Sequence, residues 1–252
     1  AKYREMGGIV EEFLEGEKAS PSVQCRIDPT GGRQIVSSHD QVLGGRTGQV
    51  FLGCTFPAHT EYRADIHDAA CRVADELAAA GVIGRFSIDF VSARRPEGWK
   101  HYALEMNLRK GGTTLPYLML RLLTGGAYDA TSGIYTTPTG QSRYYHASDN
   151  VEKEAYRGLT PDDLIDIVVQ NELHFRSHRQ QGVVFHLIGA LSEFGKLGVV
   201  GIGHSPESAS RLYRDTVDVL DRETGADISI DLRQQPGIAD RYDWAAAAQE
   251  ST

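Results

Sequence analysis

The segment Tyr102-Ala103-Leu104-Glu105-Met106-Asn107-Leu108-Arg109 alternates, and its polar members are a carboxylate, an amide and a guanidinium. A second alternating segment, Phe86-Ser87-Ile88-Asp89-Phe90, sets another carboxylate between bulky apolar neighbours. In an extended strand successive side chains point to opposite faces, so Glu105, Asn107 and Arg109 share one face and stand about 6.5–7 Å apart along it. Asp89 joins them if the two strands pair antiparallel. Magnesium takes hard oxygen ligands, usually one or two carboxylates, with phosphates and water completing the shell. A guanidinium one pleat further along grips a phosphate or carboxylate in bidentate fashion. Asp89, Glu105 and Asn107 are therefore candidate metal ligands, and Arg109 a candidate catalytic anion holder. Arg85, four residues before Asp89, lies on the same face. A sheet with one solvated face has the same period. The composition Glu-x-Asn-x-Arg differs from the usual exposed mixture of Thr, Lys and Gln.

These strands need a scaffold. Phe86, Ile88 and Phe90 form the apolar face of the first strand, and Tyr102, Leu104, Met106 and Leu108 that of the second. Ile66, Ala70, Val73 and Leu77 recur at helical spacing, which predicts a helix over 61–80 with Gly81 as its stop. Ser22 to Asp28 and Arg33 to Ser38 read as a hairpin. Residues 39–58, rich in glycine, read as a mobile surface loop. Pro116 marks a short helix, preceded by the flexible Lys110-Gly111-Gly112-Thr113-Thr114. That helix N-terminus favours a substrate anion. Thr160-Pro161-Asp162-Asp163 starts a helix expected to reach about Gln181, Val183 to Leu191 and Gly198 to Ile202 read as strands, and Ser205-Pro206-Glu207 opens the last helix.

The 252 residues suffice for one large or two smaller domains. A net charge of −8 with no basic block speaks against nucleic acid, and no apolar run approaches a membrane span. Cys25, Cys54 and Cys71, an odd set with no CxxC spacing, read as free thiols of a reducing cytoplasm. His174 and His178 lack the HExxH pattern, His186 reads as a core histidine, and Gly201-x-Gly203 lacks the third glycine of a dinucleotide fingerprint. Asp40 and Gln41 either cap a turn or touch substrate.

A further candidate lies near the start. Val10-Glu11-Glu12-Phe13-Leu14-x-Gly16-Glu17 reads as a strand ending at a hinge, where backbone groups can meet an adenine edge and Glu17 can accept from ribose hydroxyls. An ordinary strand running into an acidic turn has the same appearance. Together, the hinge and the acidic strands that follow it resemble the ATP-grasp superfamily of carboxylate–amine ligases. The runs Val10 to Val23, the Asp40-Gln41 loop, Gly111 to Tyr128, and Phe185-His186-Leu187 through Gly198 are most similar to peptide ligases related to the pheganomycin-forming enzyme. The resemblance implies Asp89, Glu105 and Asn107 as metal ligands, Glu11, Glu12, Phe13, Leu14 and Glu17 as the adenine and ribose contacts, and Arg109 and Arg85 as catalytic anion holders, although the family's arginine two residues before the metal aspartate is Ser87 here. Its implied cofactors are ATP and magnesium, or manganese in its place.

The resemblance implies an α+β chain: a C-terminal ATP-grasp subdomain over residues 1–125, an antiparallel sheet backed by helices, with an appended small α/β domain over 126–252. It further implies that the upstream half carrying the phosphate loop and lysines lies outside this sequence, and that residues 1–252 alone do not turn over. The expected activity of the whole protein is amide or peptide bond formation through an acyl phosphate. Its expected partners are a small carboxylic acid or amino acid and an amine or peptide acceptor, with no nucleic acid and no membrane. The alternative is a non-catalytic ATP-grasp-like protein that binds a nucleotide or small ligand.

Overall fold

The computed structural model describes residues 7–8, 12, 14–46 and 48–225. Eleven strands form in chain order: β1 (Lys18–Ala19), β2 (Pro21–Ile27), β3 (Arg33–Gly44), β4 (Val50–Phe56), β5 (Gly84–Arg95), β6 (Gly98–Asn107), β7 (Ala127–Asp129), β8 (Ile134–Thr136), β9 (Tyr144–Glu152), β10 (Gly182–His186) and β11 (Lys196–Gly203). The helices are α1 (Thr60–Ala79), α2 (Thr114–Thr124), α3 (Pro161–Gln170), the single turn α4 (Leu191–Phe194) and α5 (Pro206–Thr224).

Nine strands make one sheet in the order β1-β5-β2-β3-β4-β9-β11-β10, with β6 bonded to β5 as an edge strand. Every one of its pairings is antiparallel. The sheet does not stop near residue 125: β4 pairs with β9 through Cys54↔Ala147, Thr55↔His146 and Phe56↔Tyr145.

The stretch expected as a loop over 39–58 is instead the end of β3, a tight turn and β4. Phe51, Cys54 and Phe56 supply core packing there. Glycine has a different task in this stretch: a methyl at Gly53 would run into the Ala147 carbonyl of β9. Helix α3 also ends earlier than its expected reach to Gln181. The side-chain amide of Asn171 bonds back to the Ile167 carbonyl, and Glu172 turns to φ 57°, in the left-handed region that breaks a helix. His174 and His178 thus lie outside any helix, and His174 bridges to Val183. The Gly201-x-Gly203 pair serves close packing, since a methyl at either would meet the backbone of α5 near Ala209.

One core cluster lies under α1 and takes in Phe86, Ile88 and Phe90 of β5, all nearly inaccessible. A second lies around α2, β4 and β9, and a third between the sheet and α3 and α5. The apolar face expected on β6 is not buried in the same way. Leu104, Met106 and Leu108 are 48%, 51% and 59% exposed. Helix α1 reaches only the turn end of β6, where Tyr62 packs edge-on against Trp99 at 5.1 Å. A bulge adds the second difference. Asp89 faces Glu105 but Phe90 faces Ala103, so Leu104 is extra. Beyond the bulge Tyr102 pairs with Val91 and so shares the face of Asp89, not that of Met106.

Buried histidines give the core a pH response. Burial holds His39 down to about 3 and His146 to about 4, against the ordinary 6.5. Both stay neutral in the fold while the unfolded chain takes up protons, so the stability they contribute is present above 6.5 and lost as pH falls. Asp40, raised to about 6 by burial, works in the opposite sense: its contribution is full below 3.8 and lost as pH rises through 6. From pH 7 to pH 5 the histidines remove about 4 kcal/mol and Asp40 restores about 1, a net loss of about 3 kcal/mol from these groups. Urea midpoints at the two pH values measure it. His39→Gln/His146→Gln should flatten the dependence, and an unchanged slope in that variant would refute the assignment.

Candidate functional site

The hairpin β5–β6 brings the predicted ligands together. Cross-strand partners in an antiparallel ladder share a face, and here Asp89 pairs with Glu105 and Ser87 with Asn107. The Asn107 amide nitrogen donates to Asp89 Oδ2 at 3.1 Å. Asp89 is half-buried, and its carboxyl is pushed above the usual range, first by burial and then by the negative charge of Glu105. Hydrogen bonds from Ser22 and Gln41 and the charge of Arg109 pull the other way. Glu105 and Arg109 are exposed, and the Arg109 guanidinium also donates to the Lys110 carbonyl at 3.1 Å.

Two facing carboxylates and an amide oxygen form a donor set that fits a hard divalent cation. Among the described residues no group of three or more His, Cys, Asp or Glu side chains converges on a point. An ion at this pair would therefore complete its shell with substrate oxygens and water, the usual magnesium pattern.

Helix α2 is moored over the same face. Gln24 of β2 donates to Thr113 Oγ1 at 2.6 Å and accepts from Thr114 Oγ1 at 3.3 Å. Gly111 lies above Ser87, with no other atom closer to the position its Cβ would take. The Lys110–Thr114 segment thereby reaches the site, one pleat from Asp89.

Arg85 shares the face of Asp89, four residues away along β5, about 13 Å at the strand rise. It lines a cavity with Arg26 of β2 and Arg121 of α2. Glu11 and Phe13 lie outside the described residues. Glu12 and Glu17 are exposed. The Leu14 carbonyl accepts from Lys18 Nζ at 2.5 Å, and the Glu17 carbonyl from the Arg94 amide at 2.9 Å, toward the turn end of the hairpin.

Ser22 and Gln41 escaped the sequence reading as partners of Asp89, because which strand flanks β5 is a matter of topology. Of the Asp40-Gln41 pair, Asp40 proves structural, accepting from the His59 amide at 2.9 Å and the Tyr62 hydroxyl at 2.6 Å. Arg26 and Arg121 carried no motif. Their only signal in the sequence was the polar phase that Ser22, Gln24 and Arg26 share on β2.

Along most of its length the chain is similar to known proteins. The family profile "IQCH-like, ATP-grasp" matches residues 2–131, and "PGM1 C-terminal domain" matches residues 163–216. The L-propargylglycine–L-glutamate ligase of Streptantibioticus cattleyicolor is 36% identical over 210 residues, covering 83% of this chain and 42% of that protein. A Campylobacter jejuni biotin carboxylase in complex with β,γ-ATP superposes with a TM-score of 0.55 at 12% identity, over 92% of this chain and 55% of its own. The biotin carboxylase domain of Hydrogenobacter thermophilus 2-oxoglutarate carboxylase, with MgADP, gives 0.52 at 13% identity, over 80% and 45%. The chain thus spans about half the length of these relatives or less. With a family profile matched along more than half its length and the fold of the solved structures beneath it, this chain belongs to the ATP-grasp family.

Proposed function

We propose that the protein of which this chain forms part is an ATP-dependent ligase that joins a carboxylic acid, such as an amino acid, to an amine through an acyl phosphate. The observation that carries the reading is the pairing of Asp89 with Glu105, with Asn107 beside them, on the open face of an edge hairpin. The similarity to a ligase named for joining two amino acids supports the substrate class.

Asp89, Glu105 and Asn107 would hold magnesium, which when bound neutralises phosphate charge during transfer. Arg109, exposed at the mouth of the site, would steady the carboxylate and the acyl phosphate formed from it. Amide nitrogens around Lys110–Thr114, at the N-terminus of α2, offer donors to a phosphate or carboxylate. Ser22 and Gln41 fix the Asp89 carboxyl, and so the metal position. Phosphoryl transfer needs little covalent help from protein groups, and positioning with charge neutralisation supplies most of the catalysis. An amine arriving deprotonated then attacks the acyl carbon, the bond from that carbon to the phosphate oxygen breaks, and the proton shed by the nitrogen leaves with the phosphate.

The test is ADP release across a panel of acids and amines. Release that depends on both partners is expected, with ATP affinity lowered in Glu105→Ala. Absence of acid-dependent ADP with every pair, together with unchanged ATP affinity in Glu105→Ala, would overturn the reading.

A further inference from the structure

The cavity beside Arg85 is a strongly cationic recess on a face of the sheet. It holds about 180 Å³ and is lined by Arg26, Arg85 and Arg121 with Gln34, Tyr117 and Tyr128 among others. Arg26 and Arg85 are direct cross-strand partners, and Gln34 stands opposite Arg26 on β3, so three strands present these groups at one level. Arg121 and Tyr117 descend from α2, one helical turn apart. At about 30 Å³ per water, the space holds about six waters or a small organic anion.

No carboxylate lines this space. Several arginines elsewhere pair with acids: Arg33 with Asp75, Arg94 with Glu61, Arg157 with Glu154 and Arg176 with Glu172. Arg143, which has no acid, spends its guanidinium on the Gln180, Ser142 and Arg179 carbonyls and on Gln141. The three arginines of the cavity have neither arrangement with any described residue, and Arg85 Nη1 is buried with no hydrogen-bond partner. A buried donor without a partner costs about 1–3 kcal/mol, more when charged, and three like charges facing one space add repulsion. Packing alone gives no motive for such a set. An oxyanion entering the space would give Arg85 Nη1 the partner it lacks and offset the like charges of Arg26 and Arg121, both of which are exposed.

We propose that Arg26, Arg85 and Arg121 form the receptor for a second carboxylate of the acid substrate, one that is not activated, so that the enzyme selects dicarboxylic acids. The proposal rests on the ligase reading above. The four residues of strand between Arg85 and Asp89, about 13 Å, are too far for one carboxylate to lie at both. The Gly111–Thr114 segment, set over Ser87 and bonded to Gln24, lies between the two, so a ligand anchored at the arginines has to pass beside it to reach the metal pair. A guanidinium cluster matches a carboxylate through bidentate hydrogen bonds, and the tyrosine hydroxyls and the Gln34 amide complete the polar lining.

Titration of the protein with glutarate, butyrate and inorganic phosphate, followed by heat release, tests this directly. Glutarate should bind at least about tenfold more tightly than butyrate, the scale of one charge-assisted bidentate contact. Arg121→Gln, at an exposed position of α2, and Arg26→Gln should each erase that preference, while Arg121→Lys keeps part of it. Arg33→Gln, remote from the cavity, should leave it unchanged. Equal affinity for glutarate and butyrate overturns the proposal, as does a glutarate preference that survives both Gln variants. Inorganic phosphate binding in preference to glutarate overturns the carboxylate assignment. Glu105→Gln separates the two readings, since it should retain glutarate binding while losing ADP release. Selective glutarate binding in a protein that shows no acid-dependent ADP release leaves the receptor standing and ends the ligase reading. Ligation without glutarate selectivity does the reverse.

Discussion

Asp89→Asn is expected to lower acid-dependent ADP release about a thousandfold, the usual scale for removing a group that positions charge in a transition state, while the protein stays folded and becomes no less stable. The two effects share one cause. Asp89 sits half-buried with its carboxyl raised above the normal range, by burial first and by Glu105 second. A carboxyl raised in the fold contributes most below its unfolded value and loses that contribution as pH rises, so at neutral pH the ionised form is a burden on the native state. An amide removes the charge and keeps the shape, and hydrogen bonds from Ser22 and Gln41 still have an oxygen to meet. Thermal melting at pH 7 and ADP release on the same preparation separate the outcomes. A fall in melting temperature that accounts for the lost activity would show Asp89 to be a structural carboxylate. Glu105→Gln, on the exposed side of the pair, should reproduce the loss of activity with no change in melting.

The largest loss of stability should come from a place with no chemistry. Lys153, just after β9, donates to both oxygens of Asp221 at 2.6 and 2.5 Å, and the Tyr156 hydroxyl adds a third bond at 2.5 Å. The side chains of Lys153 and Asp221 are only 16% and 10% exposed. Asp221 lies in the last turn of α5, so this cluster ties the end of that helix to the edge of the third core cluster. Asp221→Ala leaves a desolvated ammonium and a buried hydroxyl without their acceptor, and should cost about 3–5 kcal/mol. Lys153→Met/Asp221→Leu removes both charges and should recover most of that loss, because the desolvation penalty disappears with the charges. Urea unfolding of the two variants decides it. A double variant as unstable as the single one would mean that packing shape, not charge, makes the cluster matter.

How much of this was legible in the sequence depends on the range of the information. Period-two alternation and the composition of 102–109 were enough to place Glu105 and Asn107 on one face, since strand geometry is local. The helix over 60–79 and the capped starts at Thr160 and Ser205 were local too, and both caps carry the reciprocal hydrogen bonds of a capping box. The family resemblance supplied the direction of the chemistry. What failed to show was everything set by partners distant in the chain. The glycine-rich 39–58 segment looked loose because nothing in it announces that β4 lies between β3 and β9. The apolar row Leu104, Met106, Leu108 looked buried because a single strand does not reveal that it will be an edge. The arginine cavity needs β2, β3, β5 and α2 in one place, and no one of those segments contains its signature.

The extra residue at Leu104 has a consequence for how this site tolerates change. Counted from the turn of the hairpin, a regular ladder would set Leu104 against Asp89 and send Glu105 to the opposite face, the one Met106 now occupies. The bulge corrects that parity once, midway along the arm, so Glu105 lands opposite Asp89. Deleting Leu104 would leave Glu105 facing Asp89 on an unbroken ladder. Adding one residue between Leu104 and Glu105 would swing both ligands to the wrong side. The odd and even steps of this arm are thus unequal, and a lineage could shorten it by one residue far more safely than lengthen it.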